Sequence, residues 1–423
     1  MFGQLKDELF AQMPTAQGLR GSVIDKARGD RYIWGILLLL VVISLLVVYS
    51  ATNSLAYKYY EGNNYVYLLR QISFTIIGIL VVYFMHRVNY ILYSRMSVIL
   101  YLISIPLLIY TLFFGVEIND ANRWIRLPVL NLSFQTSDFA KLALFMYLSR
   151  QLSRSQDNIK DFKKGFLPLF VPVAFTCGLI MPANLSNALL TGATSMLLMF
   201  IGRVSLKHIA MVFAVAMIPV LIIIAIAVST HHNDKADVSA LTSLGRVGTW
   251  VSRVQDFFYS DKDDVTYQVQ QANIAIANGG IFVGLGPGNS KARNYLPQAY
   301  NDSIYAIIIE EYGLFGGAVV VFLYLLFLYR CIRIFKKCPY AFGAFLSLAL
   351  SFTLVIQAMA NMAVNVGLMP VTGVTLPLIS MGGTSLLFTC AAIGIILSVA
   401  RNIEQIETQP VAMPAADKTV ATT

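Results

Sequence analysis

The stretch "YIWGILLLLVVISLLVVYS", residues 32–50, runs for nineteen residues without a charge. A helix rises ~1.5 Å per residue and the hydrocarbon core of a bilayer is ~30 Å thick, so a run of this length spans it. Windows of the same kind recur at 66–85, 95–115, 166–182, 208–229, 303–330, 341–367 and 382–400. Two weaker windows, 137–152 and 187–202, are shorter and carry Lys141 and Asn187 near their ends. Together they predict an all-α polytopic membrane protein of about ten transmembrane helices. Composition agrees: the 423 residues are 57% hydrophobic and 13% charged, against about 25% charged in a soluble domain. The mean hydropathy is +0.67.

The net charge of +9 would suggest a nucleic-acid partner in a soluble chain. Here its distribution sets orientation instead, because short cytoplasmic loops collect Lys and Arg. With the N-terminus inside, Lys26, Arg28 and Arg31 are cytoplasmic, as are Arg87, Arg154, Lys160, Lys163, Lys164, Arg203 and Lys207. Arg333, Lys336, Lys337 and Arg401 complete the set. Every second gap is basic, which predicts both termini in the cytoplasm; an odd number of spans breaks the alternation. Residues 1–31 then form a cytoplasmic N-terminal segment without a cleavable signal, 32–402 the transmembrane domain, and 403–423 a small, polar tail read as disordered. Cys177, Cys331, Cys338 and Cys390 fall in apolar runs or on the basic side and form no C-x-x-C, so they read as packing residues.

Three outside segments follow: 116–136, the large extracytoplasmic loop 230–302 between helices 7 and 8, and 368–381. Loops of such length are usually functional. Within 230–302, "GRVGTWVSRVQDFF" and "YQVQQANIAIANGGIFVG" have amphipathic spacing and predict short helices on, or re-entering, the outer face.

At the end of this loop stands "NYLPQAYNDSIYAIIIEEYGLFGG", residues 294–317. Asp302 precedes an apolar run, where it reads equally as a helix N-cap or as a base facing a cavity. Glu310 and Glu311 lie inside the run, and acids at lipid depth are functional or interhelical hydrogen-bonding sites; structural pairing is the favoured reading. A second constellation joins Arg123, Trp124 and Arg126 to Asp138 and Lys141, which share a helix face at i, i+3. Trp124 is an interfacial anchor in the plainer reading, whereas guanidinium forks suit a pyrophosphate. A third set is Arg246, Arg253, Gln268, Gln271, Lys291 and Arg293. Basic residues outside run against the positive-inside bias, so anionic substrate and simple solvation compete for them. The glycines of "GGIFVGLGPGNS" (279–290) lack the context of a phosphate loop and read as turn glycines. "HHND" at 231–234 reads as solvated, and no zinc or redox motif is present. Pro370, Pro377, Gly382 and Gly383 predict a broken or re-entrant entry to the last span. An enzyme acting on a lipid-linked anionic substrate and a transporter for one both fit these features.

The same residues resemble the SEDS family, the shape, elongation, division and sporulation proteins, across roughly residues 32–402. "NRWIRL" with "FQTSDFAK" resembles the family's R-W-I…F-Q-P-S-E-x-x-K. "YQVQQANIAIANGGIFVGLGPGNSKARNYLPQAYNDSIYAIIIEEYGLFGG" follows its loop pattern, and "NVGLMPVTGVTLPLISMGGTSLL" its G-L-x-P-x-T-G-x-x-L-P-x-I-S signature. Thr375, where the elongation branch usually has proline, and the long N-terminal segment are closer to the division branch. The sequence departs from the pattern at Asn184, where an acid is usual, at Asp138 and Gln298, where Glu is usual, and at Met381, where an aromatic is usual.

The resemblance implies a peptidoglycan glycosyltransferase that polymerises lipid II at the outer face of the bacterial cytoplasmic membrane, at the division septum. A lipid II flippase and an elongation polymerase are the alternatives. It implies Asp302 as the catalytic base. Arg123, Trp124, Asp138, Lys141, Arg246, Lys291 and Arg293 are the implied substrate contacts, and Glu310, Glu311 and Ser380 the supporting residues. It implies no resident cofactor beyond a candidate divalent cation, Mg2+ or Mn2+. The implied partners are lipid II, a class B penicillin-binding protein and other division membrane proteins, with no nucleic acid.

Overall fold

A computed structural model describes residues 29–61, 63–117, 122–127, 132–231 and 267–408, with Gly248, Trp250, Val251, Arg253, Val254 and Gln255 between. The expectations for the terminal segments, for Arg246 and for most of "HHND" and "GRVGTWVSRVQDFF" lie outside the described residues. In chain order the helices are α1 (Arg31–Ala51), α2 (Asn53–Tyr60), α3 (Tyr65–Arg87) and α4 (Tyr90–Phe114). Next come α5 (Thr136–Arg154), α6 (Leu167–Ile180), α7 (Leu185–Ile201) and α8 (Leu206–His231). The rest are α9 (Tyr267–Gly279), α10 (Ile304–Lys337), α11 (Ala341–Asn365) and α12 (Thr384–Thr408).

Ten of these correspond one for one to the ten apolar windows, the short α2 and α9 lying between them. Among the described residues eight spans are long and apolar enough to cross a bilayer by themselves, that of α6 counted from the π-turn leading into it (Phe162–Ile180). The exceptions are the two weaker windows: α7 has 17 residues, and α5 carries Asp138, Lys141, Arg150 and Arg154. Helix α5 avoids exposing its charges to lipid by packing among α4, α11 and α6. Helix α8 is the opposite case, apolar all round and only 6% buried, as a helix surrounded by lipid requires.

The number of crossings is even by direct contact. The Gly29 N–H donates to Glu404 Oε2 at 2.8 Å, so the start of α1 and the end of α12 meet at one end of the bundle. Asp30 is also there, capping α1 through Oδ1 to the Tyr32 N–H at 2.9 Å and accepting from Arg330 through Oδ2. The core runs between α1, α3, α10, α11 and α12, with Ile33, Leu40, Val47, Ile309, Leu346 and Ile396 among its buried side chains.

One element departs from the all-helical expectation. The 116–136 segment holds a three-stranded antiparallel sheet of β1 (Val116–Glu117), β2 (Asn122–Leu127) and β3 (Leu132–Gln135). Trp124 pairs with Gln135 and Ile125 with Phe134. The "RWIRL" and "LSF" runs place aromatic and β-branched side chains where cross-strand pairing favours them.

Helix α10 is two helices broken at Gly313, whose φ of 72° and ψ of 178° only glycine adopts readily. The break strands the N–H groups of Leu314 and Phe315 and the carbonyls of Glu310 and Glu311, which an unbroken helix would pair with each other. The loop after α9 supplies both halves. Leu314 N–H donates to Gly280 O and Phe315 N–H to Ile281 O, each at 3.1 Å. In return Leu285 N–H donates to Glu310 O at 2.9 Å and Gly286 N–H to Glu311 O at 3.0 Å. Non-helical backbone is tolerated at lipid depth only when satisfied in this way. The approach leaves no room for a side chain: a Cβ at Gly284 would lie 2.3 Å from the Glu311 carbonyl carbon.

Candidate active site

At the end of the bundle opposite Gly29 and Glu404, the chain enters α10 through Asn301, Asp302 and Ser303. The N-cap position is Ser303, without a side-chain cap bond, so Asp302 is not the N-cap of this helix. Its Oδ1 is buried and has no hydrogen-bond partner. Burial pushes the carboxyl up to about 6; its own and the Ser303 N–H groups, with Arg253 and Arg123, pull the other way. Asp302 lines a narrow cleft with Gln268 of α9, Asn361 and Asn365 of α11, and residues 371–374.

The segment around Asp302 is held from three sides. Ser380 Oγ donates to Asn301 O at 2.5 Å and accepts from the Leu376 N–H at 2.8 Å, while the Met381 N–H donates to Tyr300 O at 2.9 Å. Gln268 Nε2 donates to Ser303 Oγ at 2.9 Å. Asn361 and Asn365 each donate through Nδ2 to the Asp302 carbonyl, at 2.8 and 2.9 Å.

Lys141 and Asp138 meet on the buried face of α5, Nζ to Oδ1 2.8 Å, and the other Asp138 oxygen is buried without a partner. A cavity of about 40 Å³ adjoins the pair, lined also by Gln357, Thr353 and Ser385. Lys141 Nζ reaches Gln357 Oε1 at 3.5 Å, and Gln357 Nε2 donates to Thr375 O at 3.1 Å. Arg123, half-buried on β2, donates through Nε to Ala183 O at 2.8 Å and lines a second cavity with Ser137 and Asn184. Trp124, beside it, is also half-buried. Asn184 caps α7, its side chain accepting from the Asn187 N–H at 3.1 Å. Asparagine caps about as well as aspartate, which accounts for its tolerance here.

Glu310 and Glu311, 0% and 1% exposed, face the re-entrant loop. Glu310 accepts from Ser290 Oγ and from the Lys291 and Ala292 N–H groups, and Glu311 from Ser50 Oγ and the Ser290 N–H. Arg293 Nη1 donates to Gly288 O at 2.6 Å and Ser50 Oγ at 3.2 Å. The guanidinium therefore serves this loop; it is not among the charges acting on Asp302. The Lys291 side chain is exposed. Among the described residues no three His, Cys, Asp or Glu side chains converge to hold a metal ion.

Arg253 stood in the third basic set but not among the implied substrate contacts, and the three amides of α11 were not singled out from the sequence. Arg253 acts on Asp302 where Arg293 does not. Gln357, Asn361 and Asn365 recur at i, i+4, i+8 in an otherwise apolar helix, a spacing that puts three amides on one face and was legible in "IQAMANMAVN".

Comparison with known proteins follows the same lines. The model of the FtsW/RodA/SpoVE family, described as "Cell cycle protein", matches residues 30–405. The chain is 32% identical over 382 residues, 88% of its length and 94% of the relative's, to the "Probable peptidoglycan glycosyltransferase FtsW" of Trichlorobacter lovleyi. It is 31% identical to "Stage V sporulation protein E" of Bacillus subtilis, over 86% of this chain and 95% of that one. A chain solved for "Structural coordination of polymerization and crosslinking by a peptidoglycan synthase complex" shares the fold at a TM-score of 0.67 and 23% identity. That likeness covers 89% of this chain and 99% of that one. The rod shape determining protein RodA of Thermus thermophilus does so at 0.62 and 22%, over 88% and 97%.

Proposed function

The chain belongs to the FtsW/RodA/SpoVE family of cell cycle proteins, and from that premise we propose that it is a peptidoglycan glycosyltransferase. It polymerises lipid II at the outer face of the cytoplasmic membrane during septal wall synthesis. The observation that carries the reading is Asp302: a carboxylate with a buried, unpartnered oxygen that lines a cleft and feels the charge of two arginines. A base works best when its pKa lies near the operating pH, and burial brings this one up to about 6.

In the reaction, a sugar hydroxyl of the incoming lipid II gives its proton to the Asp302 carboxylate. The hydroxyl oxygen forms a bond to the anomeric carbon of the growing strand as the bond to undecaprenyl pyrophosphate breaks. The electron pair leaves with the pyrophosphate. Arg123, Arg253 and Lys141 supply positive charge for the departing anion. Asp138 orients Lys141 through their ion pair.

A class B penicillin-binding protein is the partner this reading implies, supported by the fold shared with a chain of a complex that couples polymerization to crosslinking. The test is a lipid II polymerisation assay on the purified full-length protein with its cognate transpeptidase. Wild type makes glycan strands and Asp302→Ala makes none while remaining folded and partner-bound. Full activity in Asp302→Ala, or lipid II transport without polymer, overturns the reading.

A further inference from the structure

We propose that Asn361 and Asn365, with Gln357 one turn away, are positioning residues for this reaction. They form a ladder of side-chain amides on α11 that holds the Asp302 main chain and the Lys141–Asp138 pair in one frame. The inference rests on the reading of Asp302 as the base.

Three observations carry it. First, the Asp302 carbonyl accepts two side-chain donors, from Asn361 and Asn365, and both amides are buried, at 1% and 4% exposure. A buried carbonyl needs one partner; two donors from one helix face fix its direction. Second, Asp302 Oδ1 has no partner and the N–H groups acting on the carboxyl are those of residues 302 and 303, so its aim follows the main chain. Third, the ladder continues to the other half of the site. Asn361 Nδ2 also donates to Val374 O at 2.7 Å, and Gln357 joins Thr375 O to Lys141. The 374–375 segment and Asp302 are thereby tied to a single helix, and Lys141 with them. A reacting group displaced by ~1 Å loses ~100-fold in rate, so the separation of base and cation matters more than the bonds that set it.

The groups facing Asp302 from α9, α11 and the 371–374 segment are uncharged: Gln268, Asn361, Asn365 and Thr372. Arg123 and Arg253 are the cations acting on it, and the Tyr300 phenol is the other titratable group beside it. Loosening the ladder admits water to the carboxyl without removing a charge.

The experiment measures kcat, KM and the pH profile of kcat for Asn365→Ala and Asn361→Leu in the full-length protein with its transpeptidase. Thermal unfolding in detergent reports folding. Asn365→Ala, which removes one of two donors, is expected to lower kcat about tenfold, the equivalent of one hydrogen bond. Asn361→Leu is expected to lower it about 100-fold. In both, KM stays within about twofold and the acid limb moves down from about 6 toward the ordinary aspartate value. A kcat loss that tracks loss of folded protein, with the limb unmoved, overturns the proposal. Wild-type turnover in both variants while Asp302→Ala is inactive overturns the ladder alone. Activity surviving in Asp302→Ala overturns the reading beneath it.

Discussion

Replacing Asp302 by asparagine removes the base and, by the same geometry, makes the protein harder to unfold. The carboxyl is pushed from 3.8 to about 6 on folding. That difference of about two units corresponds to ~3 kcal/mol at ~1.4 kcal/mol per unit. The sign follows from proton binding. Between the two values the folded protein holds more protons than the unfolded chain, so stability falls as pH rises through this window. Below about pH 4 the carboxyl is neutral in both states and the penalty is absent; above about pH 6 it is fully present. Asparagine has the same shape and no charge, so the variant lacks this slope. At about pH 7.5 it is expected to be more stable by up to ~3 kcal/mol, or ~2–4 °C in Tm. At about pH 4 the two proteins should coincide. The value of about 6 is already net of the attraction of Arg123 and Arg253, so that attraction is not subtracted again. Thermal unfolding of both proteins in one detergent, followed by circular dichroism at the two pH values, measures it. A variant less stable than wild type near neutrality, or a Tm gap that does not change with pH, refutes the argument.

Polymerisation by the wild type should rise as pH climbs through about 6, as the Asp302 carboxylate forms; a rate flat from about pH 5 to 7.5 would count against its role as base. Lys141→Met leaves Asp138 buried and unpaired and is expected to destabilise by ~3–5 kcal/mol. Adding Asp138→Asn should recover most of that loss, which a thermal-shift comparison of single and double variants would show. Gly313→Ala forces a side chain onto a φ of 72°, at a cost of ~1–3 kcal/mol; unchanged detergent stability would mean that the break in α10 relaxes.

Much of the architecture was legible because lipid imposes a simple rule on sequence. The ten apolar windows and ten helices agree to within a turn or two: 66–85 against Tyr65–Arg87, and 341–367 against Ala341–Asn365. The paired Asp138 and Lys141 were legible from their spacing, which is local. What escaped the reading is non-local. The 303–330 window looked continuous, because the break at Gly313 is made viable by residues 280–286, and no periodicity within the window records that pairing. Asp302 suited an N-cap by position, yet the helix begins one residue later and its main chain is claimed by α11. Arg293 looked like a cation for substrate, since nothing in the sequence places Ser50 and Gly288 O beside it. Arg253 shared the same basic set, and only the fold separates the two.

The three acids around the start of α10 are held in different ways. Glu310 and Glu311 lie deeper, where an isolated charge is most expensive. The carbonyls freed at Gly313 draw the glycine loop against them, and the loop brings Ser290 and the N–H groups of 290–292 to their side chains. The break in the helix thus creates the donors that its own glutamates need. Each glutamate then accepts hydrogen bonds, Glu310 from the loop and Glu311 from the loop and Ser50, which an acid at this depth requires. Asp302 has the reverse arrangement. Its carbonyl takes two amides while its Oδ1 takes nothing, so the hydrogen bonding rigidifies the residue without quenching the oxygen. At Asp302 burial outweighs the opposing N–H groups and arginines, which raises the carboxyl toward neutrality and leaves it able to take a proton.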